Sequence, residues 1–381
     1  MGFVTPDFAA TLATSAYSVN NDFQLKVLLK DENFSKNMAA RSIVSATVGS
    51  RLIKVKDAFA LFIRGTGDFE KDAFLLFRGT TGRKGGADVI TDIRAGLTIS
   101  SSGSFVHSGF NQVFTSLKNE VDRFLKEHSD LINIHCVGHS LGGAVASIAA
   151  DWIKNTFPVK VKLYTFGCPR IGLGIDGFAQ ATTMRLGKEN IHRVFHSNDA
   201  VTMVPVFPYT HAPVPNGAHG IGNGNLPISV TAHFMKGYAD SVSGKKWENL
   251  NDMPETSLSI NSIKQWLSSA SEVNAADASV WHKFNYALAF IIQGSLIKVQ
   301  APFIGGLTLA DHLAMLLLKV VALSSEFANW VFLLIRKMMK MLGMAALKTA
   351  EELTETLMRN VLTRIMLRIN NEVRKALNSL F

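Results

Sequence analysis

Two glycines flank a serine near the middle of this chain, in the run Gly138-His139-Ser140-Leu141-Gly142-Gly143. An apolar stretch at 131–137 precedes the run, and a helical pattern at 144–157 follows it. Small residues two positions before and two positions after a serine permit a sharp strand-to-helix turn, which strains the serine backbone and leaves its oxygen exposed. The spacing therefore predicts that Ser140 is a nucleophile, and the alternative is a plain glycine-rich turn.

A nucleophilic serine needs a base, and the base needs a carboxylate to orient it. In an architecture with this turn the chain order is serine, acid, histidine, so both partners are expected after Ser140. Asp199 is the favoured acid because it follows a predicted strand at 191–195, at the sheet edge where the serine turn lies. Asp151 and Asp176 fit less well because they lie in or beside predicted helices, and for Asp199 an Asx turn or helix cap is the alternative.

Among the histidines that follow the serine, three are candidates for the base: His211, His219 and His233. His211 lies in a proline-rich loop, and His219 lies in a glycine-flanked stretch that we expect to be flexible and unsupported. His233 precedes an apolar segment at 234–238 that is typical of a helix start. Because a rigidly held base is the better catalyst, we favour His233.

An acyl-transfer reaction also needs two hydrogen-bond donors for the oxyanion. The backbone amide of Leu141, directly after the serine, is the first candidate. Thr80, which follows a predicted strand at 73–77, offers an amide and a hydroxyl as the second, with an ordinary Gly-Thr turn as the alternative.

The composition narrows the classes of function. The chain has 381 residues, is 47% hydrophobic and carries a net charge of +9, which suits an anionic partner. No Lys/Arg run is typical of a nucleic-acid patch, and no zinc-ligand spacing is present, so we expect a membrane surface, no nucleic acid and no metal. The two cysteines, Cys136 and Cys168, lie in apolar segments and are expected to be free buried thiols.

The order of predicted elements indicates the fold. Residues 1 to about 50 have a loosely helical pattern, and residues 205–280 are rich in proline and glycine. Between them, predicted strands lie at 57–64, 73–77, 131–137, 159–166 and 191–195, and predicted helices at 109–128, 144–157 and 178–186. Strands that alternate with helices predict an α/β fold with a mostly parallel sheet and helices on both sides.

Together these segments resemble the class 3, or fungal-type, lipase family over residues of about 55–240. The matching segments are 75–80 at the oxyanion loop, 88–93 at the lid, 106–110 at the start of the next helix, 138–143 at the serine turn, 164–172 at the next strand, 198–201 at the acid, and His233 with Tyr238 at the terminal histidine.

The resemblance implies an α/β-hydrolase fold and ester hydrolysis without metal or cofactor. It implies a triad of Ser140, Asp199 and His233, with Thr80 and Leu141 at the oxyanion hole. It also implies a lid at about 81–97, in which Gly82, Gly85 and Gly86 could serve as hinges. This chain departs from the family in three respects: the acid and histidine are only 34 residues apart, Val89 stands in place of the lid tryptophan, and the fungal disulfides are absent.

The resemblance does not reach the last hundred residues, so we predict a hydrolase domain at 1–280 and a helical, apolar and basic module at 281–381. Residues 280–381 contain 12 Lys and Arg against 6 Asp and Glu, and therefore carry +6 of the net charge. Two long apolar stretches, 284–307 and 313–342, contain charges that argue against a simple transmembrane span, and 351–381 is an amphipathic helix. Three interpretations remain: a helical subdomain that packs on the hydrolase, a module that docks on or inserts into an anionic membrane, and a surface for a chaperone or neutralising immunity protein.

These features lead to one functional hypothesis and one alternative. We expect serine-dependent hydrolysis of lipid carboxylic esters at a membrane surface, with a phospholipid preferred over an acylglycerol. The N-terminus lacks a Sec signal, which predicts a protein that is cytoplasmic in its producer or exported by a leaderless route. Bacterial leaderless lipase effectors, such as those delivered by type VI secretion, share this organisation. In the alternative, the C-terminal helices are a membrane-inserting or lipid-binding toxin module and carry the main activity.

Overall fold

A seven-stranded sheet forms the centre of the part of the chain that the computed structural model describes, namely residues 2–20, 38–49, 54–79, 86–91, 96–174, 176–222, 226–251, 258–295 and 307–379. In chain order its strands are β1 (Met38–Gly49), β2 (Lys54–Gly65), β3 (Asp72–Phe77), β6 (Asn133–His139), β7 (Lys160–Phe166), β9 (Ile191–His196) and β11 (His219–Ile221). Neighbouring strands pair in that same order; β1, β2 and β3 are antiparallel, whereas β3, β6, β7, β9 and β11 are parallel.

A smaller sheet lies beside it and contains β4 (Leu97–Ile99), β5 (Phe105–His107), β8 (Gly172–Leu173) and β10 (Tyr209–Thr210). The helices in chain order are α1 (Pro6–Ser15), α2 (Gly86–Thr91), α3 (Ser108–Glu127), α4 (Leu141–Thr156), α5 (Phe178–Leu186), α6 (Met235–Val242), α7 (Ile260–Ser268), α8 (Ala278–Gly294), α9 (Leu309–Leu323), α10 (Ser325–Met341) and α11 (Glu355–Asn378).

Both faces of the central sheet are covered, because successive side chains of each strand point to opposite faces. On β2, Leu61 and Ile63 pack with α1 and α6, whereas Ala60 and Phe62 pack with α3 and α4. The two central strands β3 and β6 are buried along their whole length, as is usual for parallel strands that are covered on both sides. The predicted mostly parallel sheet flanked by helices, with a helical C-terminal extension, is confirmed.

The first fifty residues differ from the sequence-based prediction. The helical pattern is right for α1, which begins after the capping side chain of Thr5. It is wrong for residues 38–49, which form β1 at the edge of the sheet. Alanines and serines fill much of β1, so its β-branched positions at Ile43, Val44, Thr47 and Val48 give only a weak alternating pattern, and pairing with β2 decides its structure.

The C-terminal residues form helices that are shorter than the apolar stretches of the sequence. The stretch at 313–342 is broken at Ser324, which has an extended backbone and accepts a hydrogen bond from the amide of Phe327, so α9 ends and α10 begins there. The predicted amphipathic helix at 351–381 corresponds to α11. No helix within the described ranges is both long and apolar enough to cross a bilayer.

The C-terminal helices pack on the hydrolase fold. One apolar cluster contains Phe114 of α3 and Ile148 of α4 together with Trp281 of α8, Leu313 of α9 and Ile365 of α11. The boundary predicted at residue 280 lies in the first turn of α8, and the division into two domains stays a prediction. Cys136 and Cys168 are free and buried, as expected.

Candidate active site

Ser140 lies at the turn between β6 and α4, with a strained backbone at φ 56° and ψ −129°. The turn is tight enough that a Cβ at Gly142 would lie 2.1 Å from the carbonyl oxygen of Phe77, and one at Gly138 would lie 2.3 Å from that of Gly142. Glycine at these two positions is therefore required by the turn. The expectation that the serine oxygen is exposed is wrong, because Ser140 has 0% of its surface accessible. Neighbouring elements cover it.

His233 contacts both the serine and the acid. Its Nε2 lies 2.9 Å from Oγ of Ser140, and its Nδ1 lies 2.8 Å from Oδ2 of Asp199. With Nδ1–H donating to the carboxylate, Nε2 is free to accept the serine proton. The structure thus brings together the three residues that the sequence analysis selected, although the first and the last are 93 positions apart in the chain.

Asp199 is buried and accepts three hydrogen bonds. Tyr238 donates its hydroxyl to Oδ2 at 2.7 Å, and the amide of Val201 donates to Oδ1 at 2.9 Å. Burial acts to raise the pKa of the Asp199 carboxyl, but electrostatic attraction to the His233 ring and the hydrogen bonds from the His233 N–H, the Tyr238 hydroxyl and the Val201 amide outweigh it and lower the pKa. Asp199 also caps the 3-10 turn Ala200–Met203, so one residue both caps this turn and accepts the hydrogen bond from His233.

Tyr17 and His139 form a chain of hydrogen bonds that ends at the backbone of His233. His139 Nε2 donates to the backbone carbonyl of His233 at 2.9 Å, and its Nδ1 accepts from the Tyr17 hydroxyl at 2.6 Å. Burial lowers the pKa of His139 to about 3, so the ring is neutral at pH 7, as this pairing requires. This chain of hydrogen bonds fixes the backbone of His233, whereas Asp199 contacts its ring.

The oxyanion side of the site is described in part. Leu141 is the first residue of α4, where backbone amides have no acceptor within the helix. Thr80 lies outside the described residues. Its neighbour Gly79 lies beside the serine, since a Cβ added at Gly79 would be 3.1 Å from Cβ of Ser140 and 2.2 Å from the hydroxyl oxygen of Tyr17.

The other two histidines lie elsewhere. His211 Nε2 donates to the carbonyl of Thr202 at 3.1 Å. His219 belongs to β11, is buried, and stacks near His192 and Trp247, so the expectation of a flexible, unsupported residue is wrong. Parallel pairing with β9 gives it this support, which the glycine-rich flanks concealed.

Helix α8, far along the chain, braces the loop that carries the acid. His282 Nε2 donates to the carbonyl of Ser197 at 2.9 Å, and Oδ1 of Asn285 accepts from the amide of Phe207 at 2.6 Å. Arg170 donates to the carbonyl of Pro205 at 3.0 Å. No sequence signal connected Tyr17, His282 or Asn285 with the site, because none lies near a recognisable motif.

The predicted lid segment is described only at α2 and from residue 96 onward. Gly82 and Gly85 lie outside the described residues, and Gly86 begins α2. Val89 and Ile90 of α2 are buried in the apolar core. The side-chain amide of Asn370, on α11, donates to the backbone carbonyl of Thr91 at 3.0 Å.

A comparison of the sequence with models of known protein families gives a match over the middle of the chain. Residues 74–209 match the family model of class 3 lipases, so the resemblance seen in the motifs is confirmed. The matched segment contains Ser140 and Asp199 and ends before His233.

Three curated proteins are similar in sequence to part of this chain. A secreted mono- and diacylglycerol lipase of Fusarium solani is 30% identical over 177 residues, which are 38% of this chain and 51% of that protein. The toxin TseL of Vibrio cholerae is 29% identical over 181 residues, or 40% of this chain and 28% of the toxin. A chloroplastic phospholipase A(1) of Arabidopsis thaliana, DAD1, is 34% identical over 122 residues, which are 29% of this chain and 26% of that protein.

The chain thus spans about half the length, or less, of these curated relatives. Among solved structures, lipase II from Rhizopus niveus aligns with a TM-score of 0.40 and 26% identity, over 57% of this chain and 79% of that one.

Proposed function

We propose that this chain, whose residues 74–209 match the class 3 lipase family, hydrolyses carboxylic esters of lipids through a covalent acyl-serine intermediate. One observation carries the proposal: His233 is hydrogen-bonded to Ser140 on one ring nitrogen and to Asp199 on the other. When a buried serine is hydrogen-bonded to a histidine, and that histidine to a carboxylate, the serine hydroxyl becomes a nucleophile.

The reaction follows from the donor and acceptor roles of these groups. Ser140 Oγ attacks the ester carbonyl carbon while its proton passes to Nε2 of His233, and Asp199 stabilises the imidazolium. The amide of Leu141 and the predicted donor Thr80 would hold the negative oxygen. The intermediate collapses, the leaving alcohol takes the proton from His233, and the acyl group stays on Oγ. Water then attacks the acyl-serine with His233 again as base, which releases the fatty acid and restores the serine.

A phospholipid is the preferred substrate, with a neutral acylglycerol as the second candidate. The partial similarity to a phospholipase A(1) and the arginines of α11 support the first, whereas the similarity to a mono- and diacylglycerol lipase supports the second. Similarity to a toxin supports the hypothesis of a secreted antibacterial effector, for which a neutralising immunity protein or a chaperone would be a partner. The proposed place of action is a membrane surface.

The alternative function, in which the C-terminal helices alone damage membranes, has less support. Their apolar faces are buried, as shown by Val361, Ile365 and Ile369 of α11, which are at most 3% exposed. To insert, these helices would first have to leave the core that they share with α3 and α4.

The test incubates the purified full chain with defined phospholipids and acylglycerols and identifies the products by mass spectrometry. We expect free fatty acid from the wild type, covalent labelling by a fluorophosphonate probe, and loss of both in Ser140→Ala, a loss on the order of 10⁶-fold in kcat where only background reaction remains. Ser147→Ala is the matched control, since Ser147 lies on α4 and donates to the carbonyl of Gly143. Fatty-acid release that persists in Ser140→Ala would overturn the proposal.

A further inference from the structure

The two peptide groups on either side of the His233 Cα each accept a hydrogen bond from a histidine ring. His139 Nε2 donates to the carbonyl of His233 at 2.9 Å, and His196 Nδ1 donates to the carbonyl of Ala232 at 2.6 Å. Because a peptide group is planar, holding both groups fixes the two backbone dihedral angles of His233. The direction in which its side chain leaves the backbone is then fixed as well.

The two donor histidines come from the segments that carry the other members of the proposed triad. His139 directly precedes Ser140 at the end of β6, whereas His196 is the last residue of β9 and lies three positions before Asp199. The backbone of His233 is thus held from the strand of the nucleophile and from the strand of the acid. The position of the base is therefore coupled to the positions of both residues with which it must align.

The ring of His196 makes two further contacts, both with α6. Its Nε2 lies 3.0 Å from the hydroxyl oxygen of Ser241, and the ring stacks on Tyr238 with centroids 4.0 Å apart and planes 6° apart. A carbonyl oxygen can only accept, so Nδ1 carries the proton that is donated to Ala232, and Nε2 accepts from Ser241.

This assignment requires a neutral ring. Burial lowers the pKa of His196 and outweighs the hydrogen bond to Ala232, which acts to raise it. The ring is therefore neutral at pH 7, with a single proton that the carbonyl of Ala232 holds on Nδ1.

We propose that His196 is a positioning residue of the reaction, whose Nδ1–H holds the peptide group before His233 and thereby aligns His233 Nε2 with Ser140 Oγ. The inference rests on the proposed function, since it assigns a role toward the proposed base. Because His196 acts through the backbone of the base, we expect its loss to lower kcat and to leave KM unchanged. A misplacement of about 1 Å can cost on the order of a hundredfold in rate.

Two substitutions at position 196 separate this role from packing. The side-chain amide of asparagine can replace Nδ1 and donate to the Ala232 carbonyl, whereas the longer glutamine places its amide where Nε2 lies, beside Ser241. His196→Asn and His196→Gln each lose the stack on Tyr238 and one hydrogen bond, so we expect similar falls in the midpoint of thermal unfolding. For a defined lipid ester, kcat should be about tenfold lower in His196→Gln than in His196→Asn, at equal KM.

His192 provides the matched control on the same strand. It lies four residues before His196, or about 13 Å along β9, and its ring stacks on Trp247 with centroids 4.1 Å apart. His192→Asn and His192→Gln therefore lose a comparable stack at a distance from the base, and we expect the two to have equal kcat.

Equal kcat in folded His196→Asn and His196→Gln, or the same difference between the two His192 variants, overturns the proposal. A second measurement needs no substitution to fold: nitrogen-15 NMR of the histidine-labelled wild type at pH 7 shows which ring nitrogen carries the proton. A His196 ring that is protonated on Nε2 instead of Nδ1 also overturns the proposal. A wild type that hydrolyses no ester overturns the proposed function, whereas the ring proton still decides the contact with Ala232, so the two failures are distinguishable.

Discussion

Tyr238 donates its hydroxyl to Oδ2 of Asp199, the same carboxylate oxygen that accepts from His233. Its own oxygen accepts from the backbone amide of His196 at 3.1 Å, which fixes the phenol between β9 and the acid. Asp199 thus takes its orientation from three donors, and the side chain that bears the third comes from α6, 39 residues further along the chain.

Removing that donor should slow catalysis and shift its pH dependence. In Tyr238→Phe, Asp199 loses a hydrogen bond that lowers its pKa, so the carboxyl pKa rises and the acid limb of the pH–rate profile moves to higher pH. A hydrogen bond to a charged group contributes about 1.5–3 kcal/mol, which predicts a fall in kcat of roughly tenfold to a hundredfold. Tyr286→Phe, at a tyrosine that is 37% exposed, is the control. A variant with unchanged kcat and acid limb would show that Tyr238 does not act through Asp199.

Tyr17 should matter for the position of the His233 backbone. In Tyr17→Phe, Nδ1 of His139 loses its donor inside a fully buried environment, and leaving such a group unsatisfied costs about 1–3 kcal/mol. We expect a lower midpoint of thermal unfolding together with a reduced kcat at unchanged KM, because His139 positions the backbone of His233 rather than the substrate. If Tyr17→Phe lowers the midpoint of thermal unfolding but keeps the wild-type kcat, Tyr17 contributes to stability alone and does not act through His233.

Asn370 should stabilise the position of α2. Its amide is buried on the apolar face of α11 and is hydrogen-bonded to the carbonyl of Thr91. In Asn370→Ala we expect hydrogen exchange of the α2 backbone amides to become about tenfold faster, which corresponds to loss of one hydrogen bond of roughly 1.4 kcal/mol. Asn371→Ala, at the next residue and on the exposed side of α11, should exchange like the wild type. Equal exchange in both variants would show that the Asn370 hydrogen bond does not stabilise α2.

The buried histidines predict a steep loss of stability in acid. Burial lowers the pKa of His107 and His139 to about 3 and that of His282 to about 4, whereas the unfolded chain titrates near 6.5. Between these values the unfolded state binds protons that the folded state does not, so stability falls as pH decreases below about 6.5. Three such residues give roughly 4 kcal/mol per pH unit.

Chemical denaturation at a series of pH values measures this slope. His107→Leu removes one titrating group from an apolar site and should lower the slope by about 1.4 kcal/mol per pH unit. A slope that is the same in wild type and variant would show that His107 is protonated in the folded protein.

The spacing of residues in the sequence predicted the three residues of the proposed triad better than it predicted the residues and strands that hold them in position. Ser140 and Asp199 could be selected because each follows a predicted strand, and His233 because it precedes an apolar helix start; these local patterns are visible in the sequence. The contact of Tyr17 with His139 spans 122 residues, and that of His282 with Ser197 spans 85, so no local pattern records either. Strand β1 was missed because its alanines and serines hide the alternation, and the burial of Ser140 was missed because its cover comes from elements distant in sequence.

The brace that α8 gives to the acid loop has a consequence for the order in which the protein becomes active during synthesis. His282 and Asn285 emerge from the ribosome after all three residues of the proposed triad, yet they hold the two ends of the segment that contains Asp199. A nascent chain that ends before them contains the serine, the acid and the histidine without the contacts that align the acid. We therefore expect that a growing chain stays inactive until α8 has been translated and has folded onto the acid loop.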